Sequence, residues 1–206
     1  MYRDRREAAR RLAEALTHLK GEHPLVLAIP RGGVPMGRVL ADALEGELDV
    51  VLVRKVGAPG NPEYAIGAVS EDGSVHLEEA AGQCRQAWLT REIERQRELI
   101  EERRRRYTPV RSPIDPAGRV VVVVDDGSAT GATMAAALAT LRQRGPARLI
   151  AALGVAPPDT LARLKAMADE VVCPEAPRHF GAVGQFFADF GQVEDEEVVR
   201  LLGATR

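Results

Sequence analysis

Lysine, asparagine and cysteine are scarce in this 206-residue chain. Only Lys20, Lys55 and Lys165 among its 28 basic residues are lysine, and Asn61 is its single asparagine. A GC-rich genome accounts for the arginine bias. The dearth of Asn is compatible with a thermophile, in which deamidation matters. Cys84 and Cys173 stand alone, without a CxxC pair or a neighbouring histidine. That argues against a disulfide framework and a cysteine-based zinc site, and makes a reducing cytoplasm the default compartment. No apolar run approaches the ~20 residues of a membrane span. The N-terminal stretch is broken by charge and lacks the apolar core of a signal peptide. A formal net charge of −2 supplies no overall basic field to hold nucleic acid or an anionic membrane.

What is present alternates. Residues 4–20 predict an amphipathic helix, with Asp4 and Glu7 at capping-box spacing and Ala8, Leu12, Leu16 and Leu19 on one face. Leu25–Ile29 predicts a buried strand between two prolines, 34–44 a helix, and Val50–Val53 a second strand. Val120–Val124 is an all-valine run suited to a strand buried on both faces of a parallel sheet. Helix 131–144, strand 148–154, helix 158–168 and strand 170–173 follow. The alternation predicts an α/β fold with a central, mainly parallel sheet flanked by helices, in one domain over 1–206. Two segments depart from it. Residues 54–78, rich in glycine, are either a long loop or a hairpin excursion. Residues 79–107 are strongly charged and predict one long helix ending in four arginines.

The valine strand runs into Asp125-Asp126-Gly127-Ser128-Ala129-Thr130-Gly131-Ala132-Thr133. The C-terminal edge of a parallel sheet is where open α/β folds bind ligands. Gly127 and Gly131 let backbone N–H groups turn toward an anion at a helix N-terminus, and the hydroxyls add donors. Two carboxylates repel phosphate but accept hydrogen bonds from a diol or hold Mg²⁺ through water. An ordinary βα turn whose polar residues cap the helix is the plain alternative. A Walker A loop is excluded, since no lysine follows Gly131. Earlier, Arg31-Gly32-Gly33 follows another strand, and bidentate guanidinium chemistry suits phosphate. Lys55, at a strand edge, is either a cation aimed at an anion or a lysine reaching for solvent.

Residues 121–134 resemble the phosphoribosyl-pyrophosphate motif of type I phosphoribosyltransferases: a hydrophobic strand, two acids, and a loop ending Thr-Gly-x-Thr. The resemblance implies that Asp125 and Asp126 meet the ribose 2′- and 3′-hydroxyls, and that residues 127–133 form the substrate loop, with Ala129–Thr133 taking the 5′-phosphate. It implies that Arg31, Gly32 and Gly33 form a pyrophosphate loop with a non-proline cis peptide, and that Lys55 acts with Arg31 on the leaving pyrophosphate. Asp125 and Asp126 would serve Mg²⁺ indirectly, through water or the ribose hydroxyls. Residues 56–85 would include a flexible lid over the reacting centre. The implied reaction moves ribose 5-phosphate from phosphoribosyl pyrophosphate to a nitrogenous base or similar nucleophile, with inversion at C1. The alternative is a regulator that binds the same ligand without turnover. Homodimers are frequent in the family.

A hood over the base would come partly from 174–192, with Phe180 stacking on the base or belonging to a core cluster of phenylalanines. Ala129 stands where hypoxanthine-guanine enzymes carry an aspartate near the purine N7, which disfavours that class. No residue stands out as general base; Glu63 in the lid is the carboxylate considered for it. Arg103–Arg106 either form a solvated face or meet phosphates of a neighbouring site.

Overall fold

The computed structural model describes residues 1–204, apart from the side chains of Pro62 and Glu63; Glu63 as a general base therefore lies outside what is described. Five parallel strands form the main sheet: β1 (Leu25–Ala28), β2 (Glu47–Val50), β6 (Val120–Gly127), β7 (Arg148–Val155) and β8 (Glu170–Val172). Their order is β2-β1-β6-β7-β8. The valine run shows why the sheet is buried on both faces. Side chains alternate along a strand. Val122 and Val124 join Val26, Ala28 and Ile150 in one core, while Val121 and Val123 join Leu25, Leu27 and Leu149 in the other. Helices α1 (Arg5–Ala15) and α2 (Gly33–Leu44) cover the first face, and α4 (Ala132–Gln143) and α5 (Pro158–Lys165) the second.

The first helix starts as the sequence predicts, with the Asp4 carboxylate accepting from the Glu7 N–H at 2.8 Å. It ends at Ala15 and passes into a short 3-10 turn over Thr17–Leu19. The predicted strand Val50–Val53 is instead a junction. β2 ends at Val50, and β3 (Val53–Ala58) begins a separate antiparallel sheet with β4 (Asn61–Ser70) and β5 (Val75–Leu77). The apolar run conceals the break because Val51 and Leu52, which link the two sheets, are buried as well. Of the two readings of 54–78, the hairpin excursion is the one observed.

The long helix α3 (Gln86–Tyr107) begins later than predicted, after a 3-10 turn at Glu79–Gln83. Leu89, Gln96, Ile100 and Tyr107 form its buried stripe. Arg104, from the terminal arginine run, turns inward and is 13% exposed. It bonds to Glu71 at 2.7 Å and lies 3.4 Å from Asp49, which is 1% exposed. A sixth helix, α6 (Asp195–Gly203), has no counterpart in the sequence reading; it packs on α2 and α3. No helix among the described residues is long and apolar enough to cross a membrane.

Candidate active site

The site begins where β1 ends, with Ala28 opposite Val124, while β6 runs on against β7 to Gly127. Each strand then turns into its own loop. After β6, Ser128 N–H donates to the Val155 carbonyl at 3.0 Å, and Gly131 N–H donates to Ser128 Oγ at 2.8 Å. Gly131 has φ +69° and is the N-cap of α4. A side chain is strained in that conformation. The acidic pair therefore does not cap α4.

After β1, the Pro30–Arg31 peptide is cis, the geometry the resemblance implied for this loop. A Cβ on Gly32 would collide with the Asp126 carboxylate, and one on Gly33 would come within 2.6 Å of the Val124 carbonyl. The two glycines thus let the loop lie directly on the end of β6. The Arg31 guanidinium meets Glu194, just before α6, at 3.2 Å.

The carboxylates do not face solvent as expected of a strand end. Asp126 is 9% exposed, and its Oδ2 accepts from Arg5 Nε of α1 at 2.8 Å. The Arg5 guanidinium also donates to the Gly191 carbonyl and lies 3.9 Å from the centre of the Phe190 ring. Asp125 is partly buried and accepts the Asp126 N–H. Burial pushes the Asp125 carboxyl well above the usual range, and the adjacent Asp126 pushes it further. Burial raises Asp126 too, with Arg5 pulling it back.

A cleft of about 600 Å³ opens beside these loops. Its walls bring together Pro30, Lys55, Ser128, Thr130, Ala132 and Thr133, segments far apart in sequence. Two further walls come from the small sheet, which carries Lys55, and from α3. Among the described residues, Arg54, Lys55, Arg95 and Arg103 line it against one carboxylate, Glu92. Arg54 donates to Gln96 at 2.6 Å. Burial, together with Arg103 and Arg95 as like-charged neighbours, holds its guanidinium below its ordinary pKa. An anion in the cleft relieves that repulsion.

Phe180 does not line this cleft. Its ring stacks on Phe186 at 5.2 Å, Phe187 on Phe190 at 4.9 Å, and Tyr2 meets Phe187. The C-terminal phenylalanines form aromatic pairs that tie this segment to Tyr2 and, through Phe190, to Arg5 of α1. Behind the 127–133 loop, Thr160 Oγ1 donates to the Ala129 carbonyl at 2.7 Å and Arg163 to the Thr130 carbonyl. Arg5, Thr160 and Arg163 carry no sequence signal beyond being polar positions on helices; only folding brings them to the site.

A family model described as phosphoribosyl transferase domain matches residues 2–190. The Mycobacterium tuberculosis H37Rv protein named "Putative phosphoribosyl transferase Rv0571c" is 43% identical over 214 residues, covering 98% of this chain and 46% of that protein. The chain thus spans about half the length of this curated relative. A crystal structure of TT1426 from Thermus thermophilus has a TM-score of 0.89 and 51% identity, covering 98% of each chain. With the paired loops, the acidic strand end and this match, the chain belongs to the phosphoribosyl transferase family.

Proposed function

We propose that the chain transfers ribose 5-phosphate from phosphoribosyl pyrophosphate to a nitrogen nucleophile and releases pyrophosphate. One observation carries this reading. The acidic strand end lies against the Arg31–Gly33 loop and leads into the 127–133 loop, beside a cleft in which, among the described residues, cations outnumber carboxylates. A ligand with a phosphate at one end, a diol in the middle and a pyrophosphate at the other matches that sequence of groups.

In this reading the backbone and hydroxyls of 128–133 hold the 5′-phosphate, at the N-terminus of α4. Asp125 accepts from the ribose hydroxyls. Asp126, with one oxygen on Arg5, fixes the end of β6 and contributes its remaining capacity to the ribose. Arg31 and Lys55 stabilise charge as it builds on the departing pyrophosphate. Holding the ribose at both ends places C1 for attack and supports a transition state with oxocarbenium character.

The donor set fits Mg²⁺. No three metal-ligating side chains cluster among the described residues, but Mg²⁺ keeps water and takes substrate oxygens beside one or two carboxylates. Asp125 and Asp126 would hold it through water, and the ion would supply charge neutralisation on the pyrophosphate. The reading implies a cytoplasmic enzyme and allows a homodimer.

The test is release of pyrophosphate from phosphoribosyl pyrophosphate and Mg²⁺ across a panel of purine and pyrimidine bases. Turnover with a base supports transfer. Tight ligand binding without turnover on any base supports the regulator instead. No Mg²⁺-dependent binding in calorimetry at millimolar ligand overturns both.

A further inference from the structure

We infer that Thr160 and Arg163, on α5, are positioning residues that set the orientation of the phosphate loop from behind. This rests on reading residues 128–133 as the phosphate cradle, and it assigns a part to an element outside that loop.

The two side chains take successive backbone carbonyls. Thr160 Oγ1 donates to the Ala129 carbonyl at 2.7 Å, and the Arg163 guanidinium donates to the Thr130 carbonyl. In a trans peptide the C=O and the following N–H point in opposite directions. Anchoring the Ala129 carbonyl on α5 therefore turns the Thr130 N–H away from α5. Anchoring the Thr130 carbonyl does the same for Gly131, whose N–H donates to Ser128 Oγ at 2.8 Å. Ser128 and Thr130 both line the cleft.

Packing reinforces the hydrogen bonds. A Cβ on Gly131 would lie 2.7 Å from Thr160 Cγ2, so the loop rests closely on α5. Thr160 is 7% exposed and its hydroxyl is satisfied by this contact. Arg163 is exposed, so its side chain is not needed to fill the core. Without these two donors, two adjacent carbonyls of a glycine-containing loop are free to rotate toward the cleft, where they repel a phosphate. Neither residue touches the ligand in this arrangement.

The experiment compares Thr160→Val, Thr160→Ser and Arg163→Met with the unmodified chain. Calorimetry measures two probes separately, ribose 5-phosphate and inorganic pyrophosphate. Thermal melts report folding. Thr160→Val and Arg163→Met should each weaken ribose 5-phosphate by about five- to tenfold, the range of one hydrogen bond. Pyrophosphate, held by the other loop, should change by less than about twofold, and Thr160→Ser should restore ribose 5-phosphate binding. Equal weakening of both probes in step with lower melting temperature marks a merely structural role and overturns the inference. So does undiminished ribose 5-phosphate binding in both variants. If Thr160→Val fails to fold, Arg163→Met, at an exposed position, decides alone. Failure of the unmodified chain to bind ribose 5-phosphate at millimolar concentration overturns the cradle reading itself, and the inference with it.

Discussion

Asp125 and Asp126 are covalent neighbours with different surroundings. Asp126 is held by Arg5 at 2.8 Å, whereas Asp125 has the Asp126 N–H and a like charge beside it. Burial raises both carboxyls. A carboxyl whose folded pKa lies above its unfolded value of about 4 binds more protons when folded, so stability falls as pH rises through that window. Asp125→Asn should therefore raise the melting temperature at pH 7, flatten its decline from about pH 4 upward, and abolish transfer. Melts across that range, paired with turnover assays, check this; an active variant with an unchanged pH profile contradicts it. Asp126→Asn should gain less stability than Asp125→Asn at pH 7, because it also takes the ion partner from Arg5, whose side chain is 13% exposed, and it should likewise abolish transfer. Gly32→Ala should lower both stability and ligand affinity, because its Cβ has no room beside Asp126. Overpacking of this kind costs roughly 1–3 kcal/mol.

Helix α3 is joined to the main sheet by charge as well as by its apolar stripe. Arg104 is 13% exposed and spans Glu71, which follows β4, and Asp49 of β2, whose carboxylate also takes the Ile114 N–H at 2.9 Å. Burial raises both carboxyls, Arg104 pulling each one back. Arg104→Gln should destabilise the chain by about 3–5 kcal/mol at pH 8, the cost of breaking a buried pair. The loss should shrink toward pH 5, where carboxyls deprived of their cation protonate and shed the buried charge. Urea unfolding at the two pH values measures the difference, and a pH-independent loss contradicts the account. Because α3 also contributes Arg95 and Arg103 to the cleft, loosening it should weaken pyrophosphate binding.

Across the whole molecule charge is nearly balanced, at −2, yet among the described residues the cleft collects four cations against one carboxylate. Attraction for a polyanion is therefore local. Phosphoribosyl pyrophosphate binding should weaken several-fold between about 50 and 500 mM KCl, as the screening length drops from beyond 10 Å to a few ångströms. Salt-independent affinity in calorimetry would count against an electrostatic cleft.

The chain's own order determined the strand–helix alternation, the doubly buried valine strand and both glycine loops. Each of these is written in contiguous residues: the period of the apolar positions, or small residues where backbone must approach closely. It could not show that Val50–Val53 divides between two sheets, since one apolar run serves both and the link as well. Nor could it show that Phe180 packs on Phe186, or that Asp126 is bonded to Arg5 from 121 residues away. The buttress from Thr160 and Arg163 and the guanidiniums of α3 were equally hidden. A polar residue on a helix face has the same local pattern whether it meets solvent or a buried carbonyl. Only the packing of α1, α3 and α5 around the ends of β1 and β6 decides which partner it finds.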